Sequence, residues 1–106
     1  MTLNKSKPRF LSIEDIVEGQ QWEETVHITR DMVQTFISLS RDNAPVHVDQ
    51  KHAVQLGYDR PLVHGFLVGS RYSGILGKFL PGSNTVIQKI ILEMLLPVFV
   101  DDVLTY

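Results

Sequence analysis

The stretch from Gly65 to about Phe79 is apolar around most of a helical circumference, with Phe66, Leu67, Val68, Tyr72, Ile75 and Leu76 spread over every side. A helix of that kind is stable in water only when other structure wraps it. Gly69, Ser70, Ser73, Gly74 and Gly77 interrupt the same surface with small residues. Each glycine costs a helix roughly 1 kcal/mol relative to alanine, so their number predicts a close approach by another segment. A buried helix needs a sheet or further helices to cover it, and the chain has 106 residues with which to build them, enough for one domain.

The flanking patterns supply both kinds of element. Ser12 to Gly19 reads as one helical turn, with Ser12 as cap, Asp15 answering it and Gly19 ending it. Gln21 to Ile28 alternates, with Trp22, Val26 and Ile28 on one face and Glu23, Thr25 and His27 on the other. Glu24 falls on the apolar side. Thr29 is an N-cap, and Met32, Val33, Phe36, Ile37 and Ser40 recur at helical spacing, which predicts an amphipathic helix from Thr29 to about Ser40. Pro45 ends any helix upstream of it. Asp49 caps a short helix closed by Gly57, and Tyr58 to Val63 is a loop. Pro81-Gly82 is a turn, and Thr85 to Leu96 reads as a long strand stopped by Pro97. Asp101-Asp102 turns the chain, and Val103 to Tyr106 begins a strand that has no successor. Two strands and a stump do not cover an apolar helix, so part of the sheet is expected to be missing from this chain or to come from another. Residues 1 to 12 read as a loose lead-in and 13–106 as the domain.

Composition narrows the function classes. The formal net charge is -2 and there is no basic stripe, which argues against nucleic acid as the main partner. The absence of cysteine removes disulfides and thiolate chemistry. The first residues lack the apolar stretch of a secretory signal, and no apolar run reaches the roughly 20 residues of a membrane span. A cytoplasmic protein with no membrane partner is the expectation.

One segment carries chemistry. Asp42 and His47 flank Pro45, and the buried helix opens at Gly65 shortly downstream. A carboxylate and an imidazole are what proton transfer to and from water requires, and a glycine N–H at a helix head suits a developing oxyanion. His64 reads as a helix-start or packing residue rather than a second base. His47, Asp49 and His52 have the residue types of a metal cluster, but they read as a solvated helix cap, so no metal is expected.

Ser40 to His47, with Ala53 after it, resembles the MaoC-like dehydratase family, which includes the (R)-specific enoyl-CoA hydratases. The family signature is Ser-Gly-Asp-x-Asn-Pro-aliphatic-His. Val63-His64-Gly65 matches its aliphatic-His-Gly triplet, Leu96-Pro97-Val98-Phe99-Val100-Asp101-Asp102 its Leu-Pro-Val-Phe-x-Gly-Asp segment, and Ile16-Val17-Glu18-Gly19-Gln20 its start. The resemblance implies an α+β hot dog fold, a long central helix wrapped by a curved antiparallel sheet, with C-terminal strands missing here. It implies reversible addition of water to a trans-2-enoyl thioester of coenzyme A or acyl carrier protein, as in fatty acid metabolism, with no cofactor. It assigns catalysis to Asp42 and His47, oxyanion binding to Gly65, and support of the active-site network to Ser73. A homodimer or a strand-complementing partner is implied as well. The alternative is an inactive or subunit-dependent hot dog chain that binds acyl thioesters; a hot dog thioesterase is a weaker third reading. Three positions depart from the family: Arg41 and Asp101 stand where it has glycine, and Ala44 where it has asparagine.

Overall fold

A computed structural model of the chain describes residues 7–106. The first six residues of the expected lead-in lie outside the described residues. Arg9 is not loose: its N–H donates to Lys78 O at 2.6 Å and its carbonyl accepts from Ser83 N–H at 2.7 Å. Ile13–Asp15 forms a single 3-10 turn. The Asp15 carboxylate accepts from the Ser12 N–H at 2.9 Å and its hydroxyl at 3.0 Å. Those bonds hold the carboxyl below its ordinary range.

The first strand is shorter than its alternating pattern. β1 covers Thr25–His27 and pairs antiparallel with β2, Val103–Thr105, with Val26 opposite Leu104. Backbone bonds continue to Glu24 and Tyr106 at one end and to Ile28, Asp101 and Asp102 at the other. The segment Val103 to Tyr106 therefore has a partner inside the chain. Val26 and Ile28 are buried as their alternation requires. Glu24, misplaced on the apolar side, is accommodated because its carboxylate pairs with Arg71. Trp22 stacks on Phe79 with ring centroids 4.5 Å apart.

Local signals set the helices. α1 spans Arg30–Ser40, and the Thr29 hydroxyl accepts from the Met32 N–H at 3.2 Å. Pro45 does more than end a helix. It opens the one-turn α2, Pro45–Val48, because a first helical position needs no N–H and suits the fixed φ of proline. In α3, Gln50–Gln55, the Asp49 carboxylate accepts from Lys51 and His52 N–H groups, and Gly57 follows at φ 95°. α4 spans Gly65–Lys78. Its Leu67 joins Val26, Ile28, Val33 and Val63 in the core, so α1 and α4 are clamped to the sheet through one cluster.

The expected strand from Thr85 to Leu96 forms no ladder among the described residues. It lies along α4 instead. A Cβ on Gly65 would sit 3.1 Å from Met94 Cε, and one on Gly69 would sit 2.5 Å from Leu92 Cδ1. Four helical residues rise about 6 Å and two extended residues about 6.6 Å. The pairing of Gly65 with Met94 and Gly69 with Leu92 is therefore that of an extended segment running antiparallel to α4. Two of the helix glycines thus do what their number predicted. Gly74 and Gly77 face open space. One face of α4 stays uncovered, and Phe66 on it is 82% exposed.

Tyr106 closes the base of the sheet. Its hydroxyl donates to Val68 O at 2.7 Å, and its ring meets Tyr72 edge-on. Burial pushes the phenol above its ordinary range; Tyr72 and Glu24 add to the shift and Arg71 opposes it. The fold thus favours the protonated phenol. That contribution is fully present below the ordinary phenol value of about 10 and is lost as pH rises through the higher folded value. Denaturation midpoints are expected to hold up to about pH 9 and fall above about pH 10, with a smaller alkaline fall in Tyr106→Phe. Equal falls in both proteins would remove Tyr106 as the cause.

Candidate active site

The loop between α1 and α2 places the acid. Arg41 ends α1 at φ 61° and ψ 21°, the left-handed conformation that a glycine adopts without steric cost. The departure from glycine at this position therefore falls on backbone that favours glycine. The same holds for Asp101 at φ 76°. Ser40 Oγ donates to Phe36 O at 2.7 Å and accepts from the Asp42 N–H at 3.1 Å, which continues the helix end into the loop. Asp42 Oδ1 then accepts from the Ala44 N–H at 3.2 Å. Ala44 lacks the side chain the family has there, yet its backbone braces the carboxylate.

That brace leaves Asp42 Oδ2 turned to His47, whose Nε2 is 3.7 Å away. His47 sits on α2, and its side chain is 15% exposed against 45% for Asp42. His47 Nδ1 lies 2.8 Å from Leu62 O. A carbonyl only accepts, so Nδ1 carries the proton and Nε2 presents its lone pair to Asp42. The two atoms are too far apart for a direct hydrogen bond. A water about 2.8 Å from each would see them at roughly 80°, close to the angle between its own two O–H bonds. The arrangement can hold one water by both hydrogens and leave its oxygen lone pairs free.

Gly65 opens α4, so its N–H lies outside the intrahelical ladder. Gly65 and His47 line the same cavity of about 370 Å³, together with Leu62, Val68, Met94 and Val98 among others. Asp42 is not part of that lining, but its carbonyl meets His64, the cap of α4, so Asp42, His47 and Gly65 are gathered around the head of one helix. Ser73 is not. It lies eight residues further along α4, about 12 Å by helical rise, is exposed, and does not line this cavity.

His64 is the residue whose part in the site the sequence underplayed. It is 2% exposed, its Nε2 donates to the Asp42 carbonyl at 2.8 Å, and its ring stacks on His47 at 3.8 Å. The available signal was its place in the triplet that opens the apolar helix. Asp42, His47 and His64 offer ligand atoms within 4.8 Å of one another. Of His47, Asp49 and His52, which have metal-ligand residue types, Asp49 caps α3, as its reading as a helix cap had it. Stacked imidazoles 24° from parallel do not aim in-plane lone pairs at one point 2.0–2.1 Å from both, as a zinc ion needs.

The MaoC like domain model matches residues 13–106. The chain is 36% identical to an (R)-specific enoyl-CoA hydratase of Aeromonas caviae over 90% of its own length and 71% of the relative's. It is 31% identical to a mitochondrial 3-hydroxyacyl-[acyl-carrier-protein] dehydratase of Arabidopsis thaliana, over 79% of the chain and 49% of that protein. Among solved structures, the A. caviae (R)-hydratase involved in PHA biosynthesis superposes with a TM-score of 0.79 at 36% identity, covering 87% of this chain and 70% of that one. The fold is the hot dog, with α4 as its central helix. With the family model matched over residues 13–106 and a relative 36% identical over 90% of the chain, the chain belongs to the MaoC-like family.

Proposed function

We propose that the protein is an (R)-specific enoyl-thioester hydratase, working in reverse as a 3-hydroxyacyl-thioester dehydratase. The observation that carries this is the pair of acceptor atoms, Asp42 Oδ2 and His47 Nε2, 3.7 Å apart beside a cavity headed by Gly65. In the hydration direction the pair takes a proton from its water as the water oxygen bonds to C3 of the enoyl group. Charge builds on the thioester oxygen, where the Gly65 N–H meets it; comparable donors contribute about 2.7–4 kcal/mol. The pair then returns a proton to C2. The elements of water end on C2 and C3, the thioester bond stays intact, and the enzyme is unchanged. Ser73 has no place beside this pair.

The substrate is an acyl group on coenzyme A or acyl carrier protein, the carriers named for its relatives. The working unit is a dimer or a complex with a strand-donating partner. Leu95 and Leu96 are each 82% exposed on a segment without a ladder, a surface that calls for cover. The protein acts in the cytoplasm as part of fatty acid metabolism; among the described residues no helix is long and apolar enough to cross a membrane.

The same exposed segment favours one second reading, a chain that binds acyl thioesters and turns over only with a partner. The deciding experiment incubates the purified chain with a short trans-2-enoyl-CoA, follows loss of the conjugated double bond, and determines product chirality, with the sedimenting mass measured alongside. Formation of the (R)-3-hydroxyacyl-CoA by the chain alone supports the hydratase. Binding without turnover supports the second reading, and thiol release would assign a thioesterase.

A further inference from the structure

We propose that His64 is the positioning residue that holds Asp42 and His47 in register. Its ring touches both halves of the pair. Nε2 donates to the Asp42 backbone carbonyl at 2.8 Å, and one ring face lies against His47 at 3.8 Å and 24°. Phe36 packs against the same ring at 4.9 Å. The next residue along the chain is Gly65. One side chain therefore ties the acid, the imidazole and the helix head into a single unit.

Packing alone does not account for an imidazole here. The residue is 2% exposed, and its Nδ1 is buried with no partner. An orphaned buried polar atom costs free energy that a phenylalanine or leucine of similar bulk would avoid. What the imidazole adds is the Nε2–H donor. The Asp42 loop needs it. The loop leaves α1 through a left-handed Arg41, and the Asp42 side chain has one brace, the Ala44 N–H. The bond from His64 spans 22 residues of sequence and pins that loop to the head of the central helix. Displacement of a reacting group by about 1 Å can cost 10²-fold in rate.

The inference rests on the hydratase reading for its kinetic arm only. His64→Phe keeps the volume and the stack on His47 but removes the donor. His64→Gln restores a nitrogen donor the same number of bonds from the backbone as Nε2. In His64→Phe, kcat for enoyl-CoA hydration is expected to fall about 10–100-fold with KM little changed, and the Ala44 amide is expected to exchange its hydrogen faster. His64→Gln is expected to recover a large part of both. The exchange arm needs no turnover, so it tests the positioning role even if the chain proves not to be a hydratase. Wild-type Ala44 exchange in a folded His64→Phe protein would overturn the proposal, as would equal losses in the Phe and Gln variants. If His64→Phe fails to fold, His64→Gln alone decides: near wild-type exchange supports the donor role, and exchange as fast as in an Asp42→Gly control removes it.

Discussion

Asp42→Asn is expected to lower the rate of enoyl-CoA hydration by about 10²–10⁴-fold, the usual worth of a positioned acid–base group, while the protein melts where the wild type does. The substitution is isosteric. Asn Oδ1 still accepts from the Ala44 N–H, and the backbone bonds of residue 42 to Ser40 and His64 are untouched. The change falls on the atom that faces His47 Nε2 across 3.7 Å. An acceptor becomes an NH₂ donor, which leaves no second acceptor for a water between the two residues. Steady-state rates on a short trans-2-enoyl-CoA and a thermal melt, taken together, check the result. Full activity in a folded Asp42→Asn protein would take the proton-transfer role away from this residue. Loss of activity together with loss of the melt would instead place Asp42 among the residues that hold the loop.

Helices α1, α3 and α4 were legible because their determinants are local, whereas the one-turn α2 was not foreseen. Thr29 and Asp49 cap the helices that follow them through bonds two or three residues away, and Gly57 ends α3 in a conformation suited to glycine. The alternation around Val26 and Ile28 likewise predicted which side of β1 is buried. Strand length was not legible, because a ladder requires a partner and partners are distant in sequence. Thr85 to Leu96 has strand composition without a ladder, and Val103 to Tyr106 finds its partner some 80 residues upstream. The resemblance, rather than the spacing, identified Asp42 and His47 as a pair, since a loop with a proline fixes no distance by itself. The placement of His64 depends on burial and on a bond across 22 residues, and neither is written in the local sequence. Arg41 shows the opposite case. It stands where the family has glycine, and the backbone there is left-handed, with φ 61°.

Ile28→Ala is expected to cost about 2–5 kcal/mol of folding stability, a large part of the 5–15 kcal/mol that an ordinary domain possesses. Ile28 is 1% exposed and packs in the cluster with Val33, Val63 and Leu67. Its backbone is held on both sides, N–H to Asp102 O at 2.9 Å and C=O from Asp101 N–H at 2.7 Å. Thr29, which caps α1, follows it directly. The chain therefore has little freedom to collapse into the space that the lost methyl groups leave, and the cost belongs toward the upper end of the range. Leu95→Ala provides the contrast. At 82% exposure it is expected to change the stability of an isolated chain by less than about 0.5 kcal/mol. Chemical denaturation of both variants, repeated over a range of protein concentration, separates two cases. If Leu95→Ala is neutral at every concentration, the segment along α4 is bare in solution. If its cost grows with concentration toward that of a core residue, another chain covers Leu95 in the assembled protein, and the hot dog sheet is completed between molecules.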